Sequence, residues 1–245
     1  MNTHSLATAL VAVLAASVAH AATIVAPGTS QDSVNKSLIV AAGSAVQDVE
    51  TVNGGIDIQD GASAESVETV NGGIDIGRDA SVESVETVNG SIEIGSGLKA
   101  SGDVETVNGR IDIGAGSTVA GSVSTVNGHI SLDQVTVTAH VETVNGGLDF
   151  QAARIGGNVE MVNGRAELQG GTVVAGDLIV RKSKGNWGWG SRPKPPVVIV
   201  GAGSEVRGTL RIENEETRLF VHESARVGAV EGVQAQRYSG TQAPE

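Results

Sequence analysis

Apolar and polar residues nearly alternate along the middle of this chain, in short bursts broken by glycine. In "SVESVETVNGSIEIGSGL", Ser81 to Leu98, the apolar positions are Val82, Val85, Val88, Ile92 and Ile94. The residues are β-branched and no run keeps a helical period, so each burst predicts a short half-buried strand. Three strands are expected per unit. The first is the "VETV" type and the second the "IDI" type. The third is weaker, marked by Val82, Ala100, Val119, Val137, Ile155, Val174 and Val206. Asn-Gly separates the first two and is expected to supply a positive φ at a sharp corner.

The unit recurs. "VETVNGGIDI" begins at Val49 and again at Val67, with close variants from Val85, Val104, Val123, Val141 and Val159. The asparagines are Asn53, Asn71, Asn89, Asn108, Asn127, Asn145 and Asn163, spaced 18 or 19 residues apart. A repeat that short cannot close its own core, so neighbouring units must stack. Three strands and three corners consume about 18 residues at ~3.3 Å per strand residue. The expected fold is all-β: a right-handed parallel β-helix (solenoid) with ~18-residue three-strand rungs, the hand following from the preference of parallel crossovers. Degenerate rungs extend it, at "SLIVAAGSAVQD" from Ser37, "GDLIVRK" from Gly176, "PVVIVGAGSEVRGTLRIEN" from Pro196 and "TRLFVHESARVG" from Thr217. Ten or eleven rungs at ~4.8 Å would make a rod on the order of 50 Å long. The competing arrangement is a β-sandwich with an antiparallel hairpin at each Asn-Gly, which the strict period disfavours.

Residues 1–21 read as a secretory leader. Leu6 to Val18 is apolar, and Ala19-His20-Ala21 forms an A-x-A cleavage site. The leading residues carry His4 but no Lys or Arg. The alternative is an N-terminal helix capping the solenoid. Cleavage after Ala21 would send the chain to the periplasm or the exterior. A lead-in is expected over 22–36, solenoid repeats over 37–180, a loop over 181–196, further rungs over 197–232 and a disordered tail over 233–245. No later apolar stretch reaches 18 residues, so no membrane span is expected.

Stacking turns equivalent positions into columns. The asparagines are expected to form a structural ladder of side-chain amides. A second column is Glu50, Glu68, Glu86, Glu105, Ser124, Glu142 and Glu160. A third is Asp57, Asp75, Glu93, Asp112, Ser131, Asp149 and Glu167. Like charges about 5 Å apart repel by roughly 0.8 kcal/mol even in water. Solvated faces that block lateral aggregation are the plainer reading, and collection of Ca²⁺ the sharper one. Both columns break at the rung of Ser124, Ser131 and His129. A rank of threonines, from Thr51 to Thr143, ends in Met161. That ending predicts a buried or half-buried position and disfavours an ice-binding face.

Composition narrows the function. The chain has 245 residues and no cysteine, 2% aromatic residues and a net charge of −12. Disulfides, thiolate metal sites and thiol nucleophiles are excluded, and nucleic acid is an unsuitable partner for so acidic a body. Five histidines show no metal-ligand spacing. Acid pairs repeat in nearly every rung, whereas an active site needs one unusual constellation. No catalytic residue, cofactor or metal is expected, and a polysaccharide-active enzyme is a remote alternative.

One segment breaks the pattern. "RKSKGNWGWGSRPKPP", Arg181 to Pro196, holds five cations, no acid and both tryptophans. Its length and its glycines and prolines predict a loop leaving the solenoid wall, and loops on rigid scaffolds commonly carry binding. Trp187, Trp189, Arg181, Lys182, Lys184, Arg192 and Lys194 are therefore the candidate ligand-binding residues. Their expected partner is a cell-wall or surface polymer, a lipid head-group surface, or the acidic columns of another copy. The competing reading folds the loop back to cover a solenoid edge.

The "VETVNGxIDI" units, from about Val46 to Leu168, resemble those of the bacterial β-strand-repeat adhesin family. The C-terminal units, through Gly201, Gly203, Val206, Gly208, Leu210 and Ile212, resemble bactofilin-like, polymer-forming β-helix proteins. The resemblances imply a β-helix and either an adhesin-like envelope module or a self-assembling rod. The leader and the acidic surface depart from cytoplasmic bactofilins. Neither family brings catalytic residues to this chain.

Overall fold

The computed structural model describes residues 22–183, 194–241 and 243. Among the described residues the chain is all-β without helix, its parallel strands stacked in about 11 coils of a β-solenoid with ~18-residue rungs. Every strand pairing is parallel, so the hairpin sandwich is excluded: Val85, Glu86, Thr87 and Asn89 lie against Val104, Glu105, Thr106 and Asn108.

Three walls run the length of the stack. The first contains the "VETV" strands, such as Val49–Thr51 and Val104–Asn108. The second contains the "IDI" strands, such as Ile56–Ile58 and Ile111–Ile113. The third is narrow, two residues wide at Lys99–Ala100 and Thr118–Val119. Its inward positions stack as Val82, Ala100, Val119, Val137, Ile155, Val174 and Val206. These are the positions the sequence pattern marks.

The stack reaches further at both ends than the sequence predicts. The expected lead-in over 22–36 contains Thr23–Ile24, paired with Leu38–Val40, and Gln31–Ser33, paired with Val49–Thr51. The expected disordered tail over 233–245 contains Gln236–Tyr238, paired with Arg218–His222. In both places few large apolar residues announce the strand, and the backbone edge of the neighbouring coil supplies the pairing.

The lumen is filled by apolar side chains. Val85, Ile92 and Ile111 are 0% exposed, and the bulky Phe150 is 1% exposed. Strand parity decides the rest. Val85 points in, so Glu86 points out, Thr87 in and Val88 out. Thr87 is buried, as the ending of its rank in Met161 predicts, and Val88, although apolar, is 37% exposed. A threonine is tolerated inside because its hydroxyl reaches a corner carbonyl of the coil before it.

The Asn-Gly corner also differs from expectation. Of these corner glycines only Gly164 has a positive φ. Gly90 is required for closeness instead: a Cβ there would overlap the carbonyl oxygen of Gly72 beneath it. The left-handed corner is the next one, between the second and third walls. Gly97 and Gly116 adopt it with φ of 78° and 77°, and Asp79, Gln134 and Ala152 adopt it with φ of 56°, 53° and 52°.

Beside the corner glycines runs the amide ladder. Each asparagine Nδ2 donates to the Oδ1 of the one before, from Asn163→Asn145 back to Asn53→Asn35, at 2.9–3.0 Å. Asn35 extends the rank by one rung. The ladder stops at Asn163; in the next coil the strands Leu178–Val180 and Val197–Val200 are separated in sequence by residues 181–196, where no Asn-Gly corner of this repeat recurs.

Candidate ligand groove

The two ends of the 181–196 segment have different environments. Arg181 is committed to the first wall. Its Nε donates to Glu160 Oε2 at 2.7 Å, its Nη2 lies 2.6 Å from the same oxygen, and its Nη1 lies 3.8 Å from Glu213. These carboxylates hold the guanidinium above its ordinary pKa, the hydrogen bond to Glu160 contributing most. Arg181 thus closes the glutamate column, whose next position is the buried Ile179. Lys182 is exposed, and its backbone N–H donates to Glu213 Oε2 at 3.3 Å. Lys194 is exposed and stands over the second wall. Trp187, Trp189, Lys184 and Arg192 lie outside the described residues.

The glutamate column of the first wall is electrostatically loaded. Glu86 is pushed up to about 7, by burial first and then by Glu68, Glu105 and Asp103. Burial also raises Glu50 and Glu105. Ser124 interrupts the column and donates to Glu105 Oε1 at 3.2 Å, which partly offsets the rise.

The second wall handles its acids differently. The position after each Asn-Gly forms an outward column of its own, beside the acidic one. Arg110 lies 3.5 Å from Asp112, His129 Nε2 lies 3.0 Å from Asp149, and Arg165 pairs with Glu167. Gly147 leaves room for the His129 ring, which a Cβ there would strike. Glycine or serine fills this column at Gly55, Gly73, Ser91 and Gly147, which hides it in the sequence; its signal there is the identity of the residue after each Asn-Gly.

Near the return of the loop the same wall carries a groove of about 730 Å³, lined by His129, Asp149, Arg165, Glu167, Lys194 and Arg218 among others. Arg165 and Glu167 also line a second hollow of about 480 Å³, which continues to Tyr238 and Thr241. Tyr238 has its pKa raised, by burial and then by Glu167. Its ring meets that of His222 edge-on, centroids 5.1 Å apart. Beneath it Val197, Ile199 and Phe220 form a small apolar cluster on the outer face of the wall.

Another rank links coils at the corner between the third and first walls. Asp103 Oδ1 accepts from the Ser122 N–H at 2.7 Å, His140 Nδ1 from Asn158 N–H at 2.9 Å, and Asn158 Oδ1 from Asp177 N–H at 2.9 Å. These side chains, His140 included, work in the stacking of the rod. Among the described residues, no group of three or more His, Cys, Asp or Glu is placed to hold a metal ion, and no helix is long and apolar enough to cross a membrane.

Comparison with protein-family models, with curated proteins and with solved structures finds no match.

Proposed function

We propose that this chain is a non-catalytic, exported β-solenoid that serves the cell envelope as a structural or adhesin-like binding module. The observation that carries the reading is the unbroken amide ladder from Asn35 to Asn163. Side chains repeated coil after coil serve stacking, and they make a stiff support for the one segment whose sequence breaks the repeat. That segment, 181–196, lies in sequence between Leu178–Val180 and Val197–Val200, the strands that follow the ladder. The A-x-A site at Ala19-His20-Ala21 and the resemblance to β-strand-repeat adhesins support export and an envelope role. The experiment is retention of the purified protein on isolated cell-wall material, compared with a Trp187→Ala/Trp189→Ala variant. Retention lost in the variant with circular dichroism unchanged supports the reading. No retention of the unaltered protein overturns it.

A second reading, a bactofilin-like rod that assembles end to end, is favoured by one observation. The first described coil offers the strand Thr23–Ile24, which among the described residues is paired on one side only, with Ile24 70% exposed. Unpaired strand edges recruit other strands. Light scattering at rising concentration separates the two: a constant mass fits the binding module, and a growing one fits the polymer.

A further inference from the structure

On the second wall the cation column and the acid column keep step, with the acid two residues after the cation. Arg110 has Asp112 and Arg165 has Glu167. At Arg218 the step fails. Two residues on is Phe220, and the neighbour of Phe220 in the preceding coil is Ile199. Arg218 therefore carries the column's charge without the column's acid. Lys194 joins it from the end of the loop. Among the described residues neither side chain has an ion-pair partner, although the chain as a whole carries −12. Both line the groove of about 730 Å³.

The groove has a direction. With the hollow it shares at Arg165 and Glu167, it crosses successive coils from His129 to Tyr238. The second-wall strands on that route begin at Ile130, pass through the strands of Asp149, Glu167, Ile199 and Phe220, and end at Gln236. At ~4.8 Å per coil the span is on the order of 24 Å. Part of its lining is glycine, at Gly146, Gly147 and Gly164, so a flat ring can lie close to the backbone. An extended ligand with spaced negative charges fits this surface.

We propose that the groove binds an acidic glycan along the rod axis, with Lys194 and Arg218 meeting its carboxylates and Tyr238 offering a ring face at the far end. This rests on the envelope-binding reading above. A peptide added as a strand does not fit, because the strands under the groove, Val159–Gln169, Val197–Val200 and Arg218–His222, are already paired on both sides. Single-stranded nucleic acid needs a series of stacking rings, and among the described residues Tyr238 is the one Phe, Trp or Tyr side chain lining either hollow.

The test is calorimetric titration of the purified protein with hexagalacturonate, and with its fully methyl-esterified form as the neutral control. The acid form is expected to bind at least about tenfold more tightly than the ester, and to weaken as salt rises. Lys194→Glu with Arg218→Glu is expected to reduce affinity at least about tenfold with the melting temperature unchanged, since both side chains are exposed. Lys194→Gln with Arg218→Gln provides a milder loss should reversal disturb folding. Equal binding of acid and ester, or full affinity in both variants, overturns the proposal. Absence of hexagalacturonate binding also overturns it. If the same preparation is still retained on cell-wall material, the envelope reading survives that failure; loss of both removes it as well.

Discussion

Thr87 Oγ1 donates a 3.1 Å hydrogen bond to the carbonyl oxygen of Gly72, at the Asn-Gly corner of the coil before it. The bond recurs as Thr69→Gly54, Thr106→Gly90 and Thr125→Gly109. At Thr143 it stops: the side chain is buried and its hydroxyl has no partner. There the first and second walls merge into one strand, Val141–Gln151, and the corner is drawn out. Met161, next in the rank, carries no hydroxyl and is buried in the same position.

This contrast predicts opposite outcomes for one substitution. Thr87→Val leaves the Gly72 carbonyl without its donor and should cost about 1–2 kcal/mol. Thr143→Val removes an unsatisfied buried hydroxyl and should be neutral or stabilising by up to about 1 kcal/mol. Urea unfolding of both variants checks this, and equal losses would refute the ladder's role.

The two kinds of corner predict a second contrast. Gly90→Ala drives a Cβ into the Gly72 carbonyl, which belongs to a paired backbone. The loss should be about 3 kcal/mol or more. Ala152→Gly relieves a left-handed alanine with φ of 52° and should gain up to about 1 kcal/mol. Thermal melts of both measure it.

Glu86 makes stability depend on pH. Its folded pKa is about 7, above the ordinary 4.5, chiefly through burial. The folded chain therefore holds this proton more tightly than the unfolded chain. The resulting destabilisation is absent below about pH 4.5, grows between the two values and is complete above about pH 7. Glu86→Gln should raise stability on the order of 1–2 kcal/mol at alkaline pH, discounted for partial exposure, and change nothing in acid. Melting curves of both proteins across pH test the sign.

Arg181 predicts a coupling. Removing it strands Glu160, whose side chain is only 17% exposed. Arg181→Ala should cost about 1–3 kcal/mol. In the Glu160→Gln background the same change should cost clearly less, as a double-mutant cycle would show.

Much of this molecule is legible before folding. An interval of 18 or 19 residues between asparagines specifies a stack, and parallel in-register pairing follows. The threonine rank is legible too: its ending in Met161 predicts a buried position, Thr87 is buried, and parity from Val85 gives the same answer. Gly90 was read by its local conformational freedom, whereas its reason lies in the coil beneath, about one period away in sequence. The end strands escaped notice because Gln236–Tyr238 is polar and is recruited by its neighbour's edge. The groove was half visible. Lys194 stood out by composition, while Arg218 became informative only once Phe220 was found where the column's acid should be.

The most direct measurement is cosedimentation of the purified protein with isolated cell-wall polymer, at rising protein concentration and at low and high salt. Saturable binding by a protein of constant mass, weakened by salt, is the expected result. A protein that stays in the supernatant with every polymer preparation would contradict it, as would one that pellets alone in proportion to its own concentration.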